Sequence, residues 1–284
     1  MALFKRRNTQ QDDGTEMSFI DHLEALRWHL VRSVIAVVVS AIVIFVYAKE
    51  VVNGIVFGPA RNDFSTYSVL CNLGHKLKLG EALCLGNFTI KFQSNAMTEQ
   101  FMSTFTIAFV GGFIVSFPYV FWEFWSFIKP ALSKKEVRTT RGIIFWVSVL
   151  FFMGVAFGYY VLTPFMVNFY SNYSLSSLIE FKPTMSDYIE NLIYTTVGIG
   201  VLFQMPLLIM FLSKIGIVSP TFLKKYRKHA FVIILIAAAI ITPSTDPFSL
   251  TLVTIPLYAL FEASVVLSSR VYKQREKADT EEWS

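Results

Sequence analysis

Charge is scarce in this chain. Only 16% of its 284 residues are Asp, Glu, Lys or Arg, against about a quarter in soluble domains. Apolar residues make up 54% and aromatics 16%, with 28 phenylalanines. A soluble core of this size cannot absorb so many apolar side chains. The composition therefore excludes an ordinary soluble enzyme, a disordered chain and nucleic-acid binding through a basic domain. The signatures of bond-making chemistry are also missing: no HExxH, no GxSxG and no Gly-rich loop ending in GK[ST]. The four histidines, His22, His29, His75 and His229, fall on separate segments without ligand spacing. No enzyme activity, cofactor or metal is expected. There are only two cysteines, Cys71 and Cys84.

What the chain does have is long apolar runs. A bilayer core about 30 Å thick takes roughly 20 apolar residues per helix. Runs at about 30–48, 101–122, 143–167 and 192–212 meet that length, and a final run covers 248–269. A run at 229–241 is too short to cross unaided, which suggests local thinning or partial insertion. The expectation is an all-α polytopic membrane protein with six segments. An arm occupies 1–29, the membrane domain 30–269 with a long loop at 49–100, and a tail 270–284.

Basic residues orient these segments, because cytoplasmic flanks carry the excess of Lys and Arg. The arm through Arg32, the loops after spans two and four, and the tail together hold 19 of the 25. The opposite loops hold only Lys49, Arg61, Lys76, Lys78, Lys91 and Lys182. Both termini are expected in the cytoplasm. The long polar start of mixed charge does not fit a cleavable signal peptide. In the arm, Phe19, Leu23, Leu26 and Leu30 recur at helical spacing. A plain juxtamembrane helix lying on lipid headgroups would show the same pattern. Cys71 and Cys84 lie in the first outside loop, where an oxidising compartment favours a disulfide over two free thiols.

Polar groups inside apolar runs are costly and so become functional candidates. Gln204 sits in the fourth run and Glu262 in the last, each open to a simple interhelical hydrogen bond. Asp246 marks the tip between the final two runs, where an N-cap role also accounts for it. Pro118, Pro164, Pro206 and Pro256 bend four spans. The stretch FPYVFWEFWSFIKPALSKKEVR (117–138) ends span two in aromatics, stops at Pro130 and turns into a basic loop holding Glu136. Glu136 and the arm's Glu24 fall on the same predicted face. Two carboxylates there suit a peptide bearing two guanidinium groups, although an acid within a basic loop also serves as its neighbours' partner.

Five ordered pieces, HLEALRWHL (22–30), FPYVFWEFWSFIKPAL (117–132) with Glu136, GVLFQMP (200–206), ITPSTDPFS (241–249) and IPLYALFE (255–262), resemble the TatC family of the twin-arginine translocase. That resemblance implies a concave, glove-like bundle of six helices, the last two short. It implies a bacterial inner-membrane receptor that binds twin-arginine signal peptides at its cytoplasmic face. It further implies an oligomer with TatA-like and TatB-like single-span subunits, moving folded proteins by the proton-motive force. Membrane lipid surrounds the bundle, and nucleic acid is not a partner. By position, Phe127 and Glu136 match the signal-binding patch, with Pro130 and Leu132 shaping the loop. Gln204, Pro206, Asp246 and Glu262 match polar and kink positions implied to engage partner helices. One departure concerns the arm, where relatives place a carboxylate directly before Leu-Arg. Here that position is Ala25, and Glu24 stands one residue earlier, about 100° around the helix. The alternative reading is a secondary transporter with Gln204 and Glu262 on its pathway, although no repeated halves are evident.

Overall fold

The computed structural model describes residues 19–76, 78, 84, 90–129, 142–176, 178, 181–242 and 247–282. Among these the chain is helical without a strand, and an isolated bridge joins Gln93 to Thr184. The main helices are α1 Phe19–Val46, α2 Ser65–Lys76, α3 Glu99–Ile128, α4 Ile143–Asn172, α5 Met185–Lys214, α6 Arg227–Ile241 and α7 Pro247–Glu282. Among the described residues, five stretches are long and apolar enough to cross a membrane: Leu23–Val46, Glu99–Ile128, Ile143–Asn172, Met185–Lys214 and Ser249–Arg270. At 1.5 Å per residue the 30 residues of α3 reach about 45 Å, more than a bilayer core. The 15 residues of α6 reach only about 22 Å.

The arm periodicity and the first apolar run form one helix, α1, rather than two elements. Its run VIAVVVSAIVIFV is rich in β-branched residues that favour strands in water. In hydrocarbon every backbone N–H and C=O needs an internal partner, so the same run is helical. The last helix continues to Glu282, through the segment expected to be tail, and its apolar part of 22 residues exceeds the short helix implied by the resemblance. No Pro or Gly follows Pro256, and Lys, Arg, Glu and Ala are good helix formers.

Glycines set the closest approaches. α1 packs mainly on α3, where a Cβ at Gly112 would stand 2.7 Å from the backbone N of Ala41. Between α4 and α5, a Cβ at Gly154 would meet Cα of Gly200 at 2.8 Å, and one at Gly158 would meet the carbonyl O of Thr195 at 2.6 Å. The segment Gly154-Val-Ala-Phe-Gly158 is a small-xxx-small motif, which lets backbones touch where lipid offers no hydrophobic drive to associate. Above this contact α4 passes through a π-turn at Gly158–Leu162, just before Pro164. Outside these contacts the helices present apolar side chains outward. On α1 Val34, Ile35, Val39 and Ile42 are all more than half exposed, as a lipid-facing surface requires.

At the α2 end of the bundle a buried cluster joins Val56, Tyr67, Ile107, Val167, Tyr188 and Ile189. Tyr67 donates to the carbonyl of Pro59 at 2.6 Å, and burial pushes its phenol well above the ordinary value. Glu99 ties the segment before α3 to the first turn of α5, accepting from the backbone N–H groups of Asn95 (2.6 Å) and Ser186 (3.0 Å). Cys71 on α2 and Cys84 are joined by a disulfide, and His75 lies one turn from Cys71. Maleimide labelling of denatured protein should therefore leave both thiols unmodified until a reductant is added; equal labelling without reductant would contradict the bond.

Candidate functional site

Two carboxylates mark the end of the bundle where α1 begins and α3 ends. Glu123, on α3, is buried to 2% exposure among aromatic residues. Its Oε2 accepts from Nδ1 of His29 on α1 at 2.5 Å, and its Oε1 accepts from the Tyr119 hydroxyl at 2.8 Å. Tyr119, Glu123 and Phe127 are spaced four residues apart, which places them on one face of α3. The Phe127 ring meets the His29 ring edge-on, with centroids 6.3 Å apart. His29 thus touches both Glu123 and the candidate signal-binding residue one turn further on.

Glu262, on α7, repeats the pattern. It accepts from the Arg227 guanidinium of α6 at 2.7 Å and from the Tyr258 hydroxyl, four residues back, at 3.1 Å. Both acids belong to a Tyr-x3-Glu spacing that follows a helix proline, Pro118 or Pro256. The surroundings differ. Arg227 and Glu262 are partly exposed, at 45% and 33%, and an exposed pair contributes about 0.2–1 kcal/mol. Removing one partner of a buried pair leaves a stranded charge and costs about 3–5 kcal/mol. Glu123 is of the second kind.

Of the residues singled out in the sequence, Pro130, Leu132, Glu136 and Asp246 lie outside the described residues. Glu24 is exposed on α1. Five residues separate it from His29, about 140° around the helix, so it stands off the face that meets Phe127. Gln204 falls where α5 is interrupted at Phe203–Gln204, and Pro206 sits in the first turn of the helix that resumes. Its Nε2 donates two long hydrogen bonds, to the carbonyls of Val147 (3.3 Å) and Gly200 (3.4 Å). Its buried Oε1 has no partner among the described residues. A cavity of about 810 Å³ opens among α1, α3, α4 and α5 toward the α2 end, lined by apolar residues such as Ile44, Gly111, Val115, Phe152 and Ile193. Neither Gln204 nor Glu262 lines it.

The sequence reading passed over Glu123, His29 and Arg227. The available signal was the twofold Tyr-x3-Glu spacing and an acid placed inside an aromatic run, FWEFW.

Helices of this length and apolarity, with polar groups paired between neighbours at one end, define a multi-pass membrane protein. Its particular kind comes from its relatives. The family model for Sec-independent protein translocase protein (TatC) matches residues 21–256. The chain is 41% identical to the TatC of Blattabacterium sp. subsp. Periplaneta americana over 93% of this chain and 100% of that protein. It is 31% identical to TatCy of Bacillus subtilis, covering 93% of each chain. A crystal structure of a twin-arginine translocase receptor TatC superposes with a TM-score of 0.68 at 27% identity, over 87% of this chain and 99% of that one. The chain belongs to the TatC family and is a component of the Sec-independent protein translocase, with a role in protein transport rather than that of a secondary transporter.

Proposed function

We propose that this protein is the receptor subunit that takes up twin-arginine signal peptides at the cytoplasmic face of the bacterial inner membrane. Glu136 and Phe127 form the core of the patch, Pro130 and Leu132 shape the loop, and Glu24 contributes from the arm. Both termini lie in the cytoplasm. With TatA-like and TatB-like single-span subunits, the bundle passes folded proteins outward at the expense of the proton-motive force. Gln204, Pro206, Asp246 and Glu262 serve the docking of those partner helices. The Oε1 of Gln204, buried and without a partner among the described residues, supports a role for this position, because an unmet buried acceptor is costly.

The observation that carries this reading is the contact of Phe127 with His29. It brings the arm helix against the end of span two, the segment that leads into the loop carrying Glu136. A photoreactive residue at position 127 should crosslink to a twin-arginine precursor. Changing the precursor's arginine pair to lysines should abolish the product, because an ammonium lacks the planar fork of guanidinium. Crosslinking indifferent to that change would sink the assignment.

A further inference from the structure

α1 is attached to the bundle mainly along α3. Their antiparallel contact runs from Phe45 against Phe105, through Ala41 against Gly112, to His29 against Glu123. The first two contacts are apolar: the Phe45–Phe105 pair is exposed, and the Ala41–Gly112 approach brings backbone against backbone. The last is polar, buried on the α3 side, and sits where the arm leaves the bundle. It therefore governs how the arm approaches Phe127.

We infer that His29 and Glu123 form a positioning lock beneath the signal-peptide patch, fixing the arm helix against span two and setting the stance of Phe127. The lock has three parts on one side and one on the other. Tyr119, Glu123 and Phe127 form a stripe on α3, and His29 bonds to the carboxylate with Nδ1 while its ring edge supports Phe127. Tyr119 occupies the remaining carboxylate oxygen, so Glu123 is held in one rotamer from two directions. Glu123 does not contact the peptide; it acts through His29 and Phe127.

The placement also bears on the arm's missing acid. Ala25, at the position where a carboxylate is expected before Leu-Arg, lies four residues before His29 and shares its face. In this chain the buried acid on that side comes from α3 instead. It secures the arm rather than projecting from it. The inference rests on the signal-peptide reading of Phe127, and its test separates the two.

The test measures crosslinking from position 127 to arginine-pair and lysine-pair precursors in membranes, alongside thermal melting of the purified protein in detergent. Glu123→Gln and His29→Phe should each lower the arginine-pair crosslink about tenfold, the scale of one lost charge-assisted hydrogen bond. The double variant should be no worse than either single one, because the pair acts as a unit. His29→Lys returns an N–H donor to Glu123 and should recover part of the signal. Arg32, one turn along α1, also acts electrostatically on Glu123. For that reason the acid itself is replaced as well as its partner. Variants that crosslink like the parent would overturn the lock. So would losses that merely follow the fall in melting temperature and are equal for both precursors. A parent protein that does not distinguish the two precursors would overturn the signal-peptide reading and the lock together.

Discussion

Gly112→Leu is expected to detach α1 from the bundle, a large structural effect for a single substitution. A Cβ at position 112 would lie 2.7 Å from the Ala41 nitrogen and 2.9 Å from the Val37 carbonyl oxygen. Both obstacles are backbone, so no side-chain rotation relieves them. Overpacking a well-filled site costs about 1–3 kcal/mol, and four added carbons against backbone place leucine at or above the upper end. α1 has little else to hold it, since only 6% of its apolar window is buried. Two neighbouring glycines provide a graded control. At Gly111 a Cβ would meet the flexible Cδ1 of Ile44 at 2.9 Å, and at Gly54 it would meet nothing within 4 Å. Melting temperatures in detergent should fall steeply for Gly112→Leu, slightly for Gly111→Ala and not at all for Gly54→Ala. Equal melting for all three would mean that α1 and α3 are not in backbone contact.

The helical class and the approximate spans were legible in the sequence because both follow from the length of apolar runs, which a bilayer reads one segment at a time. How the helices face one another was not. A helix that is apolar all round carries no stripe that marks its buried side, so α3 and α7 disclose their contacts only through small residues and buried polar atoms. The glycine pair Gly154 and Gly158 was present as a small-xxx-small spacing, but the partners, Gly200 and Thr195, are a tertiary fact. Pro206 announced a bend in span four, and the interruption at Phe203–Gln204 falls in the turn before it, where Gln204 also reaches across to α4. At the candidate site, Phe127 stands out only through the resemblance to the family's loop pattern. Glu123 was hidden by its aromatic neighbours, since one acid in FWEFW reads as an interfacial residue until His29 is brought alongside. Glu262 lies in the last apolar run as a polar group, and its pairing with Arg227 gives it a defined partner on the neighbouring helix.

Glu136→Gln is expected to abolish export of folded twin-arginine substrates, the largest functional effect. The loop that carries Glu136 also holds Lys134, Lys135, Arg138 and Arg141, with Lys129 just before it. A peptide bearing two arginines approaches this loop against repulsion, and a unit-charge pair 4 Å apart at an effective dielectric near 20 interacts by about 4 kcal/mol. One carboxylate offsets part of that repulsion as well as accepting a bidentate guanidinium. Losing a hydrogen bond to a charged group costs about 1.5–3 kcal/mol, which is roughly 10- to 150-fold in affinity. The direct and the field contributions separate with a second substitution. Lys135→Gln added to Glu136→Gln lowers the repulsion without restoring an acceptor. If Glu136 works by direct pairing, this double variant stays inactive in export and does not recover the arginine-over-lysine preference of the precursor. If export returns in the double variant, Glu136 only offsets its neighbours' charge, and the acceptor for the arginine pair lies elsewhere in the patch.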